Sequence, residues 1–323
     1  MDVSIIIVNW NTRKLLQNCL KSIYERTGNI EYEVIVVDNG STDDSVEMVK
    51  KNFPLVNIIE NAENLGFSRA NNIGIQTSKG RYISLINSDI IILDDCIDRL
   101  MSFMDSCPAV GMSGPKILNS DRTIQHSCRH FPSIWNNLCQ SLGLNHLFPK
   151  SAFFSYWIMD YWSYDSTRNV DALSGCFWML RRKALDDVGL LDEDFFIYGE
   201  DLDLCKRFRQ ADWDIAFYPG AEAVHLGRAS SASAPVKYYL ELQKADLQYW
   251  RKHHGRIGKV SYTAVILLRE IVRIVVRGLQ YIFCPSQREI FGFKLQRSIA
   301  CICMVLNLKR DRFQVRNTSG QCL

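Results

Sequence analysis

Two β-branched runs, Val3 to Val8 ending at Asn9 and Glu33 to Val37 ending at Asp38, bracket a stretch in which Leu15, Leu16, Cys19, Leu20, Ile23 and Tyr24 recur at helical spacing. Runs of this kind predict strands buried on both faces. A helix between two such strands is a crossover that leaves them parallel, so the chain is expected to be α/β around a mostly parallel central sheet. The pattern continues with a helix over 45–51, a strand over 56–59, a helix over 67–76 with Ala70 and Ile73 inward, and a strand over 82–86 that ends in Asn87-Ser88-Asp89. In open α/β sheets ligands bind outside the carboxyl ends of the strands. Asn9, Asp38, Asn87 and Asp89 are therefore expected to share one crevice.

Beyond Asp94 the order loosens. A helix is expected over 96–104 and a strand over 110–113, but the polar, aromatic stretch 120–168 carries no readable period. Strands resume at 170–173 and 175–180, and a helix follows at 182–188. A short strand at 214–218 is expected to break at Pro219-Gly220, before Ala223-Val224-His225-Leu226-Gly227. The soft linker Ala229–Pro235 then sets a boundary, giving a domain over 1–235 and a helical region over 236–323.

That second region has different physics. From Val265 to Phe283, Arg269, Glu270, Arg273, Arg277 and Gln280 project onto one narrow arc of a helical wheel, and nearly all the rest is apolar. The charges interrupt the apolar run well before the roughly 20 residues that cross a bilayer. One reading lays this helix on a membrane with its arginines toward anionic headgroups. The other packs it, and the short apolar stretch 298–308, on the first domain or on a dimer partner.

Composition removes several classes of function. A net charge of +3 and a pI near 8.2 are too mild for nucleic-acid binding, and no basic run with interleaved aromatics occurs in the first 230 residues. Eleven cysteines without any CxxC, and a start that lacks a signal peptide's basic residues, read as a reducing, cytoplasmic setting. Neither GxGxxG after an early strand nor GxxxxGK[ST] is present, which disfavours nicotinamide and P-loop chemistry.

The chemistry-bearing candidates are acids at strand and helix ends. Leu191–Arg207 crowds Asp192, Glu193, Asp194, Glu200, Asp201 and Asp203 among aromatic and aliphatic residues. Phe195, Phe196, Ile197 and Tyr198 are expected to be partly buried, so Glu200 and Asp201 enter a helix from an apolar wall. Asp201 falls on the face of Leu204, Cys205 and Phe208, where a carboxylate can act as a base. The same acids equally suit a helix's first turn, where they meet unpaired amides and the helix dipole. The loop Asp38-Asn39-Gly40-Ser41-Thr42-Asp43 reads on turn chemistry alone as a βα loop with Ser41 or Thr42 capping the next helix. Asp89 suits a hard cation that also binds phosphate oxygens, and His225 is the best further ligand. His126, Cys128 and His130 alternate as H-x-C-x-H, but no second ligand pair stands at zinc spacing.

Taken in order, V-S-I-I-I-V-N-W-N, V-I-V-V-D-N-G-S-T-D-D-S, N-L-G-F-S-R-A-N-N-I-G-I, L-I-N-S-D, G-C-F-W-M-L-R-R-K-A-L, F-F-I-Y-G-E-D-L-D-L-C-K-R and H-L-G-R-A-S resemble inverting family 2 glycosyltransferases of the GT-A fold, over about residues 3–254. The nearest likeness is to their bacterial rhamnosyltransferase-like branch. The resemblance implies a single Rossmann-like GT-A domain followed by the amphipathic helical extension. It implies that Asp38 accepts a hydrogen bond from the imide N–H of a uracil or thymine base, with Asn9 and Trp10 lining the nucleotide pocket and Arg69 near the diphosphate. Asn87, Ser88 and Asp89 occupy the family's D-x-D position, with Asn87 and Ser88 toward the nucleotide. Asn87 departs from the pattern, so a divalent cation, Mg²⁺ or Mn²⁺, rests on Asp89 and His225. Asp201 matches the catalytic base and Glu200 its neighbour, while Gly175 and Cys176 border the acceptor pocket.

The function so implied is transfer of a single sugar, rhamnose from dTDP-rhamnose, from a nucleotide-diphosphate donor to a saccharide or polyprenyl-diphosphate-linked acceptor. It belongs to cell-surface polysaccharide synthesis at the inner face of the cytoplasmic membrane. The Q-x-x-R-W motif of processive synthases is absent; Arg209-Gln210-Ala211-Asp212-Trp213 does not supply it. Galactose or N-acetylglucosamine from a uridine donor, and a non-catalytic nucleotide-sugar-binding scaffold, stand as the alternatives.

Overall fold

The computed structural model of the chain describes residues 1–159, 161–227 and 234–308. Two compact units emerge, Met1–Phe131 with Tyr156–Ser233, and Pro132–Ser155 with Ala234–Leu323. The segment 132–155 thus belongs with the C-terminal helices, a membership the sequence boundary near Pro235 does not contain. Most of the linker, and Arg228, Ala229 and Ser230 of the last motif, lie outside the described residues.

The first unit is built on one sheet. Its strands are β1 Val3–Asn9, β2 Tyr32–Asp38, β3 Asn57–Glu60, β4 Tyr82–Asn87, β5 Ile90–Ile92, β6 Val110–Leu118, β8 Arg168–Asn169, β10 Phe177–Arg181 and β11 Asp214–His225; β7 Cys128–Arg129 and β9 Ala172–Leu173 pair separately. The spatial order is β3-β2-β1-β4-β10-β6-β11-β5, with β8 on β11. β3, β2, β1 and β4 run parallel, β10 enters antiparallel between β4 and β6, and β6 and β11 are again parallel. The β-branched runs behave as expected of doubly covered strands, with every residue of 3–7 and 34–38 buried.

Helices α1 Arg13–Arg26, α2 Ser45–Asn52, α3 Phe67–Thr77, α4 Cys96–Ser106, α7 Arg182–Val188 and α8 Glu200–Gln210 belong to this unit. On α1, Leu16, Cys19, Leu20 and Ile23 are buried. On α3 the inward residues are Ala70, Asn71, Gly74 and Ile75, and Ile73 is half-exposed, against expectation. The reason is a close approach: a Cβ on Gly74 would lie 2.5 Å from Ile6 Cγ2, so the helix rolls its smallest residue onto β1. Of the expected strand over 170–173 only β9 forms, on β7, while β8 just before it joins the main sheet. Pro219-Gly220 does not end its strand; β11 runs on to His225 through a register shift between Tyr218 and Glu222.

The second unit is helical, with α5 Ile134–Ser141, α6 Leu144–Leu147, α9 Pro235–Phe283 and α10 Arg288–Val305. α9 is two helices joined at Gly255, whose φ of 67° breaks the helical path. α10 and α5 both pack on α9. Here part of the arc of charges turns inward: Arg269 and Glu270 are buried, and Glu270 accepts from Tyr239 at 2.6 Å, Arg273 at 3.0 Å and Arg269 at 3.1 Å. Gln243 completes this interior network by accepting from Arg269. No helix among the described residues is long and apolar enough to cross a membrane.

Candidate active site

Parallel pairing brings three strand ends to one level, with Asn9 opposite Asp38 and Val8 opposite Asn87. Asn9 and Asp38 are both buried. Asn9 Nδ2 donates to Asp38 Oδ2 at 2.8 Å and to Ser41 Oγ at 3.1 Å, while the Ser41 amide donates to Asp38 Oδ1 at 2.8 Å. Each Asp38 oxygen is used once by these bonds and keeps a lone pair for another donor. Ser41 therefore braces the acid, and no Ser41 or Thr42 cap forms, since α2 begins only at Ser45. Thr12 Oγ1 donates to Asn9 Oδ1 at 2.7 Å and lies 2.8 Å from Ser88 Oγ, so its one hydrogen is used and Ser88 is the donor between them. A polar chain thus runs from Asp38 to Ser88.

Trp10 and Asn87 are half-exposed beside this chain, and Arg69 is exposed in the first turn of α3, 3.9 Å from Glu193. The start of α3 is held against the acidic segment. Gly66 has φ +86°, and a Cβ there would lie 2.6 Å from the Phe196 carbonyl oxygen, which accepts from the Phe67 amide at 2.7 Å. One turn on, Asn72 donates to the Leu191 carbonyl at 2.9 Å and accepts from the Leu191 amide at 3.0 Å.

Beyond Asn87, β5 pairs with β11, His225 opposite Ile90, which sets His225 beside Asp89. Nε2 of His225 is 3.2 Å from Asp89 Oδ1, and its Nδ1 is 2.6 Å from Gln125 Oε1. Gln125 is a partner the sequence did not reveal, 100 residues from His225 in the chain. Among the described residues no cluster of three or more His, Cys, Asp or Glu forms a ready cage. Asp89 with His225 nevertheless fits a hard cation: two ligands at about 2.1 Å meeting near a right angle stand about 3.0 Å apart, and phosphate oxygens and water ordinarily fill the rest of such a shell.

The acids of 191–207 divide by role. Asp203 is fully buried against Arg207 at 2.9 Å, and that arginine also donates to the carbonyls of Val188, Gly189 and Leu190. Asp203 is thereby a structural first-turn acid. Glu200 is buried with Oε2 unbonded, and burial, then the neighbouring charge of Asp201, raises its pKa far above the usual carboxylate range. Asp201 is raised less freely: burial lifts it, while Arg129 and the amides of Leu202 and Gly175 draw it back. Burial raises both, and two adjacent carboxyls so placed disfavour each other's ionisation. Arg129 is a second residue that sequence reading passed over.

Near both Asp89 and Asp201 lies Cys176. Its carbonyl accepts from the Asn87 amide at 3.0 Å, and burial, with the charges of Asp89 and Asp201 adding to it, pushes its thiol up to about 12. It is a neutral filler there. A Cβ on Gly175 would sit in ordinary contact, 3.5 Å from Asp201 Cβ and the Trp178 ring, so any larger side chain would lie over Asp201. The H-x-C-x-H residues hold no metal-like cluster: Cys128 is buried in β7, and His130 bridges Asp171 at 3.0 Å and Tyr161 at 2.9 Å.

Comparison with known proteins bears on the family and the fold. The model of "Glycosyl transferase family 2" matches residues 4–189. The N-acetylglucosaminyl-diphospho-decaprenol L-rhamnosyltransferase of Mycobacterium tuberculosis is 27% identical over 233 residues, covering 69% of this chain and 75% of that protein. The low-salt glycan biosynthesis hexosyltransferase Agl10 of Haloferax volcanii is 24% identical over 273 residues, covering 83% and 81%. Among solved structures, GalNAc-T7 with UDP, GalNAc and Mn²⁺ superposes with a TM-score of 0.55 at 16% identity, over 80% of this chain and about half, 51%, of that one. The mannosyltransferase PcManGT of Pyrobaculum calidifontis, in complex with GDP-Man and Mn²⁺, gives 0.53 at 14% identity, over 95% and 76%. The fold is that of the GT-A glycosyltransferases, and the chain belongs to glycosyl transferase family 2, with its likeness toward the rhamnosyltransferase branch.

Proposed function

We propose that the protein is an inverting, non-processive rhamnosyltransferase that moves one rhamnose from a thymidine-diphosphate donor to a polyprenyl-diphosphate-linked saccharide at the cytoplasmic face of the membrane. The observation that carries this reading is the gathering at the strand ends of Asp38 bonded to Asn9 and Asp89 beside His225, with Cys176 near both Asp89 and Asp201. The Mycobacterium tuberculosis relative, named for rhamnosyl transfer to a decaprenol-linked sugar, supports the choice of donor and acceptor.

Asp38 receives the imide N–H of the base, beside Asn9 and Trp10, and Arg69, Asn87 and Ser88 face the diphosphate. A Mg²⁺ or Mn²⁺ ion bound by Asp89 and His225 would offset the negative charge that develops on the leaving diphosphate. Asp201 takes the proton of the acceptor hydroxyl as its oxygen attacks the anomeric carbon. The bond to the diphosphate breaks on the opposite face, its electron pair leaves with the phosphate oxygen, and the configuration inverts. Glu200 keeps its proton, so the base beside it is not faced by a second charge. Gly175 leaves the approach to Asp201 open for the acceptor.

A donor panel tests the reading. Purified protein is given dTDP-rhamnose, UDP-galactose or UDP-N-acetylglucosamine, with and without Mg²⁺ or Mn²⁺, and release of nucleoside diphosphate is followed. Cation-dependent release from dTDP-rhamnose, lost in Asp89→Ala, is the expected result. Release from a uridine donor alone would move the assignment to a hexosyltransferase, and binding of a donor with release from none would leave the scaffold.

A further inference from the structure

The second helix of α9 is amphipathic the wrong way round for a water-soluble unit. Arg269 and Glu270 of its polar arc are buried, bonded to Gln243 and the Tyr239 hydroxyl of the first helix. On the opposite face Ile257, Val260, Leu268, Ile271, Val275, Leu279 and Ile282 are all exposed, from 40% at Leu268 to 82% at Ile257. They recur at three- and four-residue steps, with the small, exposed Ala264 completing the series, so they form one unbroken stripe. At 1.5 Å per residue the stripe is about 38 Å long. A contiguous apolar patch of that extent on a soluble surface marks a binding face.

Charge says what covers it. From residue 235 onward the chain has 16 Lys and Arg against 5 Asp and Glu, a net charge of +11; residues 1–234 have 22 against 30, a net of −8. The mild overall charge of +3 conceals this division. Lys252, Arg256 and Lys259 are exposed at the start of the stripe and Arg288 beyond its end. A second copy docked along the same stripe would bring like charges together, which costs stability. An anionic lipid surface meets both features at once, taking the apolar side chains below its headgroups and the cations among them.

We infer that this stripe, not the arginine arc, is the surface through which the protein sits in the interface of an anionic bilayer. The inference deepens the reading of a lipid-linked acceptor and rests on it only for its biological purpose; the surface can be tested without any sugar.

The experiment is co-sedimentation of the full-length protein with vesicles of phosphatidylcholine alone and of phosphatidylcholine with phosphatidylglycerol. The variants are Val275→Glu with Leu279→Glu, on the stripe, and Lys252→Gln with Lys259→Gln, at its rim. The native chain is expected to bind the anionic vesicles about tenfold or more tightly than the neutral ones. The stripe variant should lose about tenfold or more on both, and the rim variant should lose only the preference for anionic lipid. Circular dichroism and nucleoside-diphosphate release from donor without acceptor should be unchanged in the stripe variant, since neither position is in the catalytic unit. Failure of the native chain to bind either vesicle, or equal binding by the stripe variant, would overturn the inference. So would a native dimer in light scattering that the stripe variant dissociates while vesicle binding is absent. Absence of donor turnover in every protein, with lipid binding as expected, would count against the transferase reading alone.

Discussion

His225 is fixed between two acceptors: Nδ1 is 2.6 Å from Gln125 Oε1 and Nε2 is 3.2 Å from Asp89 Oδ1. The amide of Gln125 is oriented by its own nitrogen, which donates to Asn119 Oδ1 at 2.9 Å and to the His225 carbonyl at 3.4 Å. Its oxygen therefore accepts from Nδ1–H, and in the neutral imidazole Nε2 faces Asp89 with a lone pair. Two such groups face each other favourably only with a proton or a cation between them.

Gln125 is thus expected to be a positioning residue. Gln125→Leu should weaken Mn²⁺ binding, measured by electron paramagnetic resonance in the presence of nucleoside diphosphate, by about 10- to 100-fold, as loss of an outer-shell partner does elsewhere. Gln125→Glu keeps an acceptor for Nδ1 and should bind nearly as well as the native chain. Native affinity in the leucine variant would remove Gln125 from this role.

Asp201→Asn should lower transfer by about 10²- to 10⁴-fold, the usual worth of a positioned base. Donor affinity, read by calorimetry, should change little, because Asp201 borders Gly175 and not the strand ends that hold Asp38. In the native enzyme the acidic limb of kcat against pH should lie above the ordinary aspartate value of about 3.9, since burial raises the Asp201 pKa. A variant that transfers at the native rate would exclude Asp201 as the base.

The raised pKa of Glu200 has a stability consequence whose sign is definite. The folded state holds this proton more tightly than the unfolded chain does. The benefit is complete below the unfolded value of about 4.3 and is lost as pH rises toward the folded value, about 8. Glu200→Gln has no such proton to lose. Relative to the native chain it should gain stability between pH 5 and pH 8, by up to about 3 kcal/mol, and a difference in melting temperature that stays the same at both pH values would contradict the assignment.

Gly66→Ala should disrupt two motifs together. The added carbon would lie 2.6 Å from the Phe196 carbonyl oxygen on a backbone with φ +86°, a combination of clash and strain that costs about 1–3 kcal/mol. Chemical denaturation should report that loss, and transfer should fall further than stability alone explains, because the segment displaced leads into Asp201. Full activity in the folded variant would separate α3 from the base.

The readable parts were those where local sequence and burial agree. Residues 3–7 and 34–37 are buried on both faces, where the one polar residue, Ser4, is hydrogen-bonded, so their strand character and the polar residues that end them stand in the sequence. The 120–168 stretch gave nothing because its two-residue strands and short helices carry no period. Gln125 gave no signal either, lying in a loop and meeting His225 only where β11 passes β5 and β6. The arginine arc is legible as an arc, but its side is not: a helical wheel supplies the angle between polar and apolar faces but not which face meets the protein interior.

By itself, then, the sequence determined the α/β alternation, the carboxyl-end acids Asp38 and Asp89, and the candidate Asp201, because strand burial and helix period are local properties that side-chain chemistry imposes on a few neighbouring residues. The tertiary structure decided what depends on non-local packing. It set β10 antiparallel within the sheet, brought Gln125, His225 and Asp89 together, separated Asp203 from Asp201, and buried Arg269 and Glu270 beneath an outward stripe of Ile, Val and Leu. Each of these follows from which distant groups can satisfy a buried polar atom, and that is fixed only when the chain has closed on itself.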